Sequence, residues 1–425
     1  MDKLKIIGGN KLEGQIVISG AKNAALPLIC ASLLTDEKVT LTNMPKLSDV
    51  RAMNKLLLDM GVKVNRLNET EYEYEYLADD VKSYIAPYEL VRKMRASYYV
   101  LGPLLSRFGY AKVSLPGGCA IGARPMDIHL SAFEQMGAKV TIENGYVLAE
   151  GKLKGAEINF SFASVGATCN VIMAATLAEG TTKITNAAKE PEIEDLAILL
   201  NAMGAKIEGA GTSVITINGV TKLSGTIHQV IEDRIEAGSY AVAAAITKGK
   251  IELINAKAKH LALPLKILQN MGISVEEKEN SIIIDATSAH LEAQDVITEC
   301  FPGFPTDLQA QYLALMTISN GASLITETIF ENRFMHVPEL KRMGANINVH
   351  GHASAIIRGV DELSGAEVMA TDLRASFALV LAGLVAKGET TVSRLYHLDR
   401  GYERLEEKLQ AVGANIRRIK EDEED

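Results

Sequence analysis

Six times along this chain of 425 residues, an apolar stretch at helical spacing runs into a glycine and then into a short β-like run. The instances are LLLDMGVKV (56–64), SAFEQMGAKV (131–140), ILLNAMGAKI (198–207), KILQNMGISV (266–275), ELKRMGANI (339–347) and EKLQAVGANI (407–416). Their glycines, Gly61, Gly137, Gly204, Gly272, Gly344 and Gly413, fall 67 to 76 residues apart. Each is expected to cap its helix, because glycine takes the left-handed conformation without steric cost. A fixed period of this kind marks a repeat architecture.

Each unit carries two earlier elements. A β-branched run ends in a loop before the capped helix, as in DEKVTLTNM, GYAKVSLPG, GTTKITNAA, GKIELINAK, GASLITETI and GETTVSRLY. Ahead of that run lies a helix rich in small apolar residues, such as AALPLICASLL (24–34), ASYYVLGPLL (96–105), YAVAAAIT (240–247) and FALVLAGLVA (377–386). Apolar all round, these helices are expected to be buried. Several follow a strand opened by a leucine and a glycine: KLEGQIVIS, KLKGAEINF, KLSGTIHQV and ELSGAEVMA. A unit of about 70 residues is too small to bury two helices by itself, so units must pack together. The expectation is an α/β fold of six units in two globules of three, with a boundary near 220–235 and a functional cleft between them. A solenoid of six units is the alternative.

Composition narrows the function. With 47% apolar residues the chain can fill two cores, and its net charge of -9 argues against nucleic acid, whose binding needs a basic surface. No apolar run reaches the roughly 18 residues of a membrane span, and MDKLKIIGGN is not a signal sequence. The four cysteines, Cys30, Cys119, Cys169 and Cys300, are far apart and without a CxxC pair, which suits reduced thiols in the cytoplasm. The acidic tail KEDEED reads as a solvated end.

Repeats face equivalent positions in equivalent directions, so odd residues at one position are candidates for function. The start of the buried helix carries Lys22 and Asn23, Arg95, Ser164 to Thr168, Arg234, Asp307, and Asp372 with Arg374. A cation there opposes the helix dipole, which points either to an anionic ligand or to ion pairing between domains. The loop after the β-run delivers Cys119, Arg333 and Arg400. In LPGGCAIGARP the glycines let backbone approach a ligand, and Arg124 favours the thiolate of Cys119. Cys30 and Cys169 fall in apolar helices and read as core; Cys300 reads as an incidental loop thiol. Asp307 reads either as a base at a cationic site or as a helix N-cap. His350 and His352 read as an exposed strand end rather than a metal pair, having no third ligand nearby. The string GGCAIGAR lacks the Lys-Ser/Thr of a P-loop, and GxGxxG, GxSxG and HExxH are absent.

The segments SGAKNAALP (19–27), LPGGCAIGARP (115–125), FPTDLQAQ (304–311), ENRFMHVPEL (331–340), ATDLRAS (370–376) and DRGYER (399–404) together resemble the enolpyruvyl transferases, within them the UDP-N-acetylglucosamine 1-carboxyvinyltransferase family of peptidoglycan synthesis. The resemblance runs from about residue 2 to 418. It implies two inside-out α/β barrels, each of three βαβαββ units: residues 21–232 form one, and 1–20 with 233–425 the other. It also implies transfer of enolpyruvyl from phosphoenolpyruvate to the sugar 3-hydroxyl, through a tetrahedral intermediate, with neither metal nor organic cofactor.

Residue by residue, the resemblance implies that Lys22, Arg124 and Arg400 hold phosphoenolpyruvate. Cys119 is the proton donor and site of a covalent adduct, and the target of fosfomycin. Asp307 is the base, and Asn23 contacts both substrates. Arg95, Arg124, Pro125, Met126, Asp127, Ile128, Ser164, Val165, Gly166 and Ile329 line the sugar nucleotide site, while Arg333, Asp372 and Arg374 support it. One departure stands out: many members carry lysine where this chain has Phe162, so the diphosphate must lean on backbone at Ser164 to Gly166 and on other cations. In this the chain resembles the second paralogue of some Gram-positive bacteria. Two rivals remain, a shikimate-phosphate enolpyruvyl transferase and an inactive protein that senses UDP-N-acetylglucosamine.

Overall fold

All six repeat glycines are in the left-handed region, with φ between 92° and 102°. They end the helices Ser48–Met60, Asp127–Gln135, Pro191–Ala202, Ala262–Asn270, Val337–Arg342 and Leu405–Ala411. In each, the N–H after the glycine reaches back to a carbonyl five residues earlier, as in Val62 to Leu57, Ala205 to Leu200 and Ala414 to Leu409. This pairing satisfies carbonyls that the helix end would otherwise orphan and turns the chain directly into the next strand. The computed structural model describes residues 2–68, 72–92, 94–115 and 126–420.

The described residues form two compact units, 2–19 with 232–420, and 20–115 with 126–231. Each has its own core built on three largely buried helices. In the first unit these are Arg234–Ile246, Gln309–Met316 and Ala375–Val385; every residue of Arg234–Ile246 is buried. In the second they are Lys22–Ala31, Leu101–Phe108 and Val165–Ala175. Small residues such as Ala241, Ala243, Ala244 and Gly383 let such helices pack closely, while Leu28, Ile172, Leu313 and Leu379 each contribute about 1.5–3 kcal/mol by leaving water. The expected helix 96–105 is divided: Arg95–Val100 winds as a 3-10 turn before the α-helix begins at Leu101. Pro103 has no N–H to give to the carbonyl four residues back, so it suits a first turn and not a helix interior.

Among the described residues six four-stranded sheets cover these helices, and all share one order: a parallel edge pair, then two antiparallel pairings. Three are built from consecutive strands, for example Glu157–Asn159, Thr181–Thr185, Lys206–Glu208 and Val214–Asn218. The other three borrow a strand from a distant part of the chain, which the repeat pattern did not reveal. Glu13–Val17 runs parallel to Lys250–Ile254, Thr226–Gln229 runs parallel to Val39–Thr42, and Lys3–Ile7 lies between Glu389–Ser393 and Asn415–Ile419. The strands of KLEGQIVIS and KLSGTIHQV thus each join a sheet other than that of the helix they precede. The glycine before such edge strands has a steric reason. A Cβ on Gly155, Gly225 or Gly365 would stand 2.2, 2.3 or 2.4 Å from the carbonyl oxygen of Thr181, Lys38 or Glu389 respectively.

Candidate functional site

Asp307 lies in the 3-10 turn Thr306–Leu308 ahead of the buried helix Gln309–Met316. The caps of these two segments are Pro305 and Leu308, so the N-cap reading of Asp307 fails. Its carboxylate is instead gripped by two guanidinium groups: Nη2 of Arg333 donates to Oδ1 at 2.7 Å, and Nε of Arg374 to Oδ2 at 3.3 Å. Both arginines are buried, whereas the Asp307 side chain keeps 25% of its exposure. Two desolvated cations on one partly open carboxylate give an anion of fixed orientation.

A polar network beneath them holds that arrangement. Arg374 also donates to the carbonyl of Gly401 at 3.5 Å, and its guanidinium carbon lies 5.4 Å from the Tyr402 ring centroid. The Tyr402 hydroxyl meets Ser239 Oγ at 2.8 Å, and Nε2 of Gln311 shares its two N–H groups among both hydroxyls and the Asp307 carbonyl, all within 3.0 Å. Burial opposes the charge of Arg374, but Asp307 and the Tyr402 side outweigh it and hold its pKa above the ordinary arginine value. Asp372 stands ahead of the helix Ala375–Val385, its Oδ1 accepting from the N–H of Arg374 at 2.8 Å and of Ala375 at 2.9 Å. Ile329 donates its N–H to Glu327 Oε1 at 2.9 Å. Arg400 closes the turn Leu398–Arg400, whose Asp399 is clamped by Arg418 at 2.6 and 3.1 Å. The structure therefore gathers Asp307, Arg333, Arg374 and Asp372 and ties the loop after Arg400 to them. Ser239 and Gln311 escaped sequence reasoning because nothing in a buried apolar helix marks which polar residue points to a partner, and Tyr402, in the loop after Arg400, carried no signal of its own.

In the second unit Lys22 opens its buried helix, and Nζ lies 3.5 Å from Oδ2 of Asp49, both side chains being buried. Lys22 is thus ion-paired, but within its own compact unit and not between domains as the alternative reading expected, and its partner Asp49 was not flagged by the sequence. Asn23 beside it is half-buried. Arg234 is buried at the equivalent position of the first unit, 5.5 Å over the Phe301 ring, while Asp233 caps its helix.

Asp127 and Ile128 begin the helix Asp127–Gln135 and, with Ser131, Gln135 and residues 158–161, line an open pocket of about 250 Å³. Met126 is half-buried just before it. Ser164 caps the eleven-residue helix Val165–Ala175, its Oγ accepting from the Ala167 N–H at 3.3 Å. The first N–H groups of such a helix, at Val165 and Gly166, carry its positive end. A Cβ on Gly166 would meet the Tyr98 hydroxyl at 2.2 Å, so any larger residue there would displace that ring. Phe162 stands two residues before the cap with 48% of its surface exposed. Behind this surface His129 is buried, edge-on to Tyr98 and 3.3 Å from Asn170, and burial pushes its pKa down to about 4.

Cys119, Arg124 and Pro125 lie outside the described residues, as does the side chain of Arg95. Cys30 and Cys169 are fully buried, and burial raises both thiol pKa values, while Cys300 is exposed. His350 ends a strand and His352 is in the turn beyond it, both exposed. Among the described residues no cluster of three His, Cys, Asp or Glu is placed to hold a metal, and no helix is long and apolar enough to cross a membrane.

Comparison with known proteins sets this geometry in context. A family model described as EPSP synthase (3-phosphoshikimate 1-carboxyvinyltransferase) matches residues 6–409. A UDP-N-acetylglucosamine 1-carboxyvinyltransferase of Granulibacter bethesdensis is 56% identical over 421 residues, 99% of this chain and 100% of that one. One of Caulobacter vibrioides is 58% identical over 425 residues, 99% of each. Among solved structures, the enolpyruvyl transferase NikO from Streptomyces tendae superposes with a TM-score of 0.88 at 24% identity, covering 98% of this chain and 99% of that one. The EPSP synthase of Acinetobacter baumannii gives 0.77 at 21%, covering 99% and 100%. At such identities the structural likeness speaks for the fold, two inside-out α/β domains, and for nothing finer.

Proposed function

This chain belongs to the 1-carboxyvinyl (enolpyruvyl) transferase family, whose model spans residues 6–409, and on that premise we propose which of its residues carry the reaction. The reaction is the one named for relatives at 54–58% identity, transfer of the enolpyruvyl group to UDP-N-acetylglucosamine in peptidoglycan synthesis. The observation that carries it is that this identity extends over essentially the whole of both chains.

The sugar 3-hydroxyl oxygen bonds to C2 of phosphoenolpyruvate while C3 gains a proton, giving a tetrahedral phospholactoyl adduct. Loss of a proton from C3 and of phosphate from C2 then restores the double bond. In our reading Cys119 supplies the C3 proton and Asp307 takes the hydroxyl proton. Lys22, Arg124 and Arg400 hold the phosphate and carboxylate and offset the charge of the adduct, with Asn23 contacting both substrates. The pocket at Asp127 and Ile128 and the helix start at Ser164, Val165 and Gly166 support a sugar nucleotide site there, the anionic diphosphate meeting the positive helix end. Met126, Pro125, Arg95 and Ile329 complete it. Arg333, Arg374 and Asp372 support Asp307 in the manner their hydrogen bonds suggest. We further assign the two globules to 21–232 and to 1–20 with 233–425, and the enzyme to the cytoplasm, where a working thiol stays reduced.

The test is phosphate release by the purified protein. It is expected only when phosphoenolpyruvate and UDP-N-acetylglucosamine are supplied together. Release with shikimate 3-phosphate in place of the sugar nucleotide would overturn the substrate reading, and silence with every pair would overturn the enzyme.

A further inference from the structure

Glu327 follows the strand Ala322–Thr326 and is buried, with 4% of its surface exposed. A buried carboxylate is costly unless donors surround it, and this one has four. Oε1 accepts from Thr298 Oγ1 at 2.9 Å and from the N–H groups of Ile329 at 2.9 Å and Phe330 at 3.1 Å. Oε2 accepts from Thr306 Oγ1 at 2.9 Å. Its own N–H donates to the Ala353 carbonyl at 2.7 Å, which fixes the backbone from which the side chain reaches.

Two of the four contacts close a circuit through Asp307. Thr306, on one oxygen, is the residue immediately before Asp307. Phe330, on the other, lies with its ring centroid 5.0 Å from the Arg333 guanidinium carbon, and Arg333 in turn donates to Asp307 at 2.7 Å. Ile329 is held by the same oxygen as Phe330. We propose that Glu327 is a positioning residue for the transfer reaction: it fixes Asp307 from two sides, through Thr306 and through Phe330 with Arg333, and it holds Ile329 in the same grip. The proposal rests on the reading of Asp307 as the acceptor of the hydroxyl proton. A shift of even a fraction of an ångström in such a group lowers the rate without altering what the enzyme binds elsewhere.

The experiment compares Thr306→Val, Thr306→Ser, Glu327→Ala, Glu327→Gln and Asp307→Asn in the two-substrate assay, with thermal melts as a check on folding. Thr306→Val, nearly isosteric, breaks only the link to Oε2; kcat is expected to fall on the order of tenfold with the KM for phosphoenolpyruvate unchanged. Thr306→Ser keeps the hydroxyl and is expected to recover most of that loss. Glu327→Ala also frees Ile329, so the KM for UDP-N-acetylglucosamine should rise several-fold, to about threefold or more, while that for phosphoenolpyruvate holds. Glu327→Gln retains an acceptor for Ile329 and Phe330 and presents an amide to Thr306, which can accept in turn, so it should be much milder than alanine. Wild-type kcat in Thr306→Val, an equal loss in Thr306→Ser, or parallel rises of both KM values in Glu327→Ala would overturn the proposal. Should Glu327→Ala fail to fold, the two Thr306 variants decide it. An active Asp307→Asn enzyme would instead overturn the reading of Asp307 itself.

Discussion

Nη2 of Arg333 lies 2.7 Å from Oδ1 of Asp307, and that guanidinium has almost no surface of its own. Since Arg374 also depends on the same carboxylate, Asp307→Ala strands two buried cations. Removing one partner from a buried pair costs about 3–5 kcal/mol, so a loss near the lower figure is expected in urea unfolding, Asp307 being partly open. Asp307→Asn keeps the volume and one acceptor, but its amide nitrogen cannot accept from the second guanidinium and the basicity is lost. It should lose at least about 100-fold in kcat with a smaller stability cost. Equal activity in the asparagine variant would move the base elsewhere.

Two buried histidines make stability depend on pH, one in each compact unit. Burial holds His129 and His336 down to about 4, from an ordinary value of 6.5. Around His129 the hydrogen bonds agree: Asn170 accepts the Gly102 N–H through Oδ1, which turns its Nδ2 towards Nδ1 of the ring at 3.3 Å. A ring proton there would face another donor. As pH falls from 6.5 to 4 the unfolded chain protonates these rings and the folded chain does not, so stability is lost through that window and levels off below it. Each contributes about 3 kcal/mol over the range. His129→Gln should flatten the decline in urea midpoint between pH 7 and 4.5; an unchanged slope would show that His129 is accessible to protons when folded.

How far the sequence led depends on how local each signal is. Gly61 and its five counterparts were readable because a helix end needs a left-handed residue at that place, whatever packs around it. Burial of Cys30 and Cys169 followed from the apolar runs that contain them. The exchange of edge strands was not readable: Glu13–Val17 and Thr226–Gln229 have the pattern of a strand, and a pattern does not name the partner. For Asp307 the difficulty was different. A carboxylate before a helix serves as a cap or as an ion-pair partner with the same residue type, and only the placement of Arg333 and Arg374, distant in sequence, separates the two. Glu327 gave no signal at all, because its four donors come from three separate segments.

The thiols should sort by environment. Cys30 and Cys169 are sealed in the core with pKa values raised by burial, so neither combination of access and thiolate is present in the folded protein. Brief treatment of native protein with iodoacetamide is expected to label Cys300 and Cys119 and to spare the other two until denaturant is added. An epoxide mimic of phosphoenolpyruvate such as fosfomycin should label Cys119 alone. Peptide mapping by mass spectrometry reads both results, and native labelling of Cys30 or Cys169 would contradict the packing described for them.

The glycines that open the edge strands are expected to be intolerant as a group. On Gly225 a Cβ would lie 2.3 Å from the Lys38 carbonyl oxygen, and on Gly155 2.2 Å from that of Thr181, so backbone and not a flexible side chain must yield. Gly225→Ala and Gly155→Ala should each cost about 2 kcal/mol or more in urea unfolding, at the upper part of the usual overpacking range. Gly180→Ala offers a control of another kind, with open space around the Cβ but φ at 95°. Its cost comes from backbone strain alone, about 1 kcal/mol.

Phe162 offers a gain of function. It is 48% exposed and stands two residues before Ser164, whose helix presents Val165 and Gly166 at its positive end. A lysine at this place would have its ammonium within reach of a diphosphate at that helix start, adding a charge-assisted contact to those made by backbone and other cations. It would also sit near a helix N-terminus, where a cation is unfavourable by a few tenths of a kcal/mol, so the free protein should lose slightly in stability, by about 0.5 kcal/mol. Against this, one partly exposed contact to a doubly charged group is worth about 1 kcal/mol at low salt. Phe162→Lys is therefore expected to lower the KM for UDP-N-acetylglucosamine about fivefold with kcat and the KM for phosphoenolpyruvate unchanged. Because the added term is electrostatic, the gain should shrink as ionic strength rises from 0.05 to about 0.5 M, over which the screening length falls well below 10 Å. A KM that does not move at low salt would place the diphosphate away from the helix that Ser164 caps.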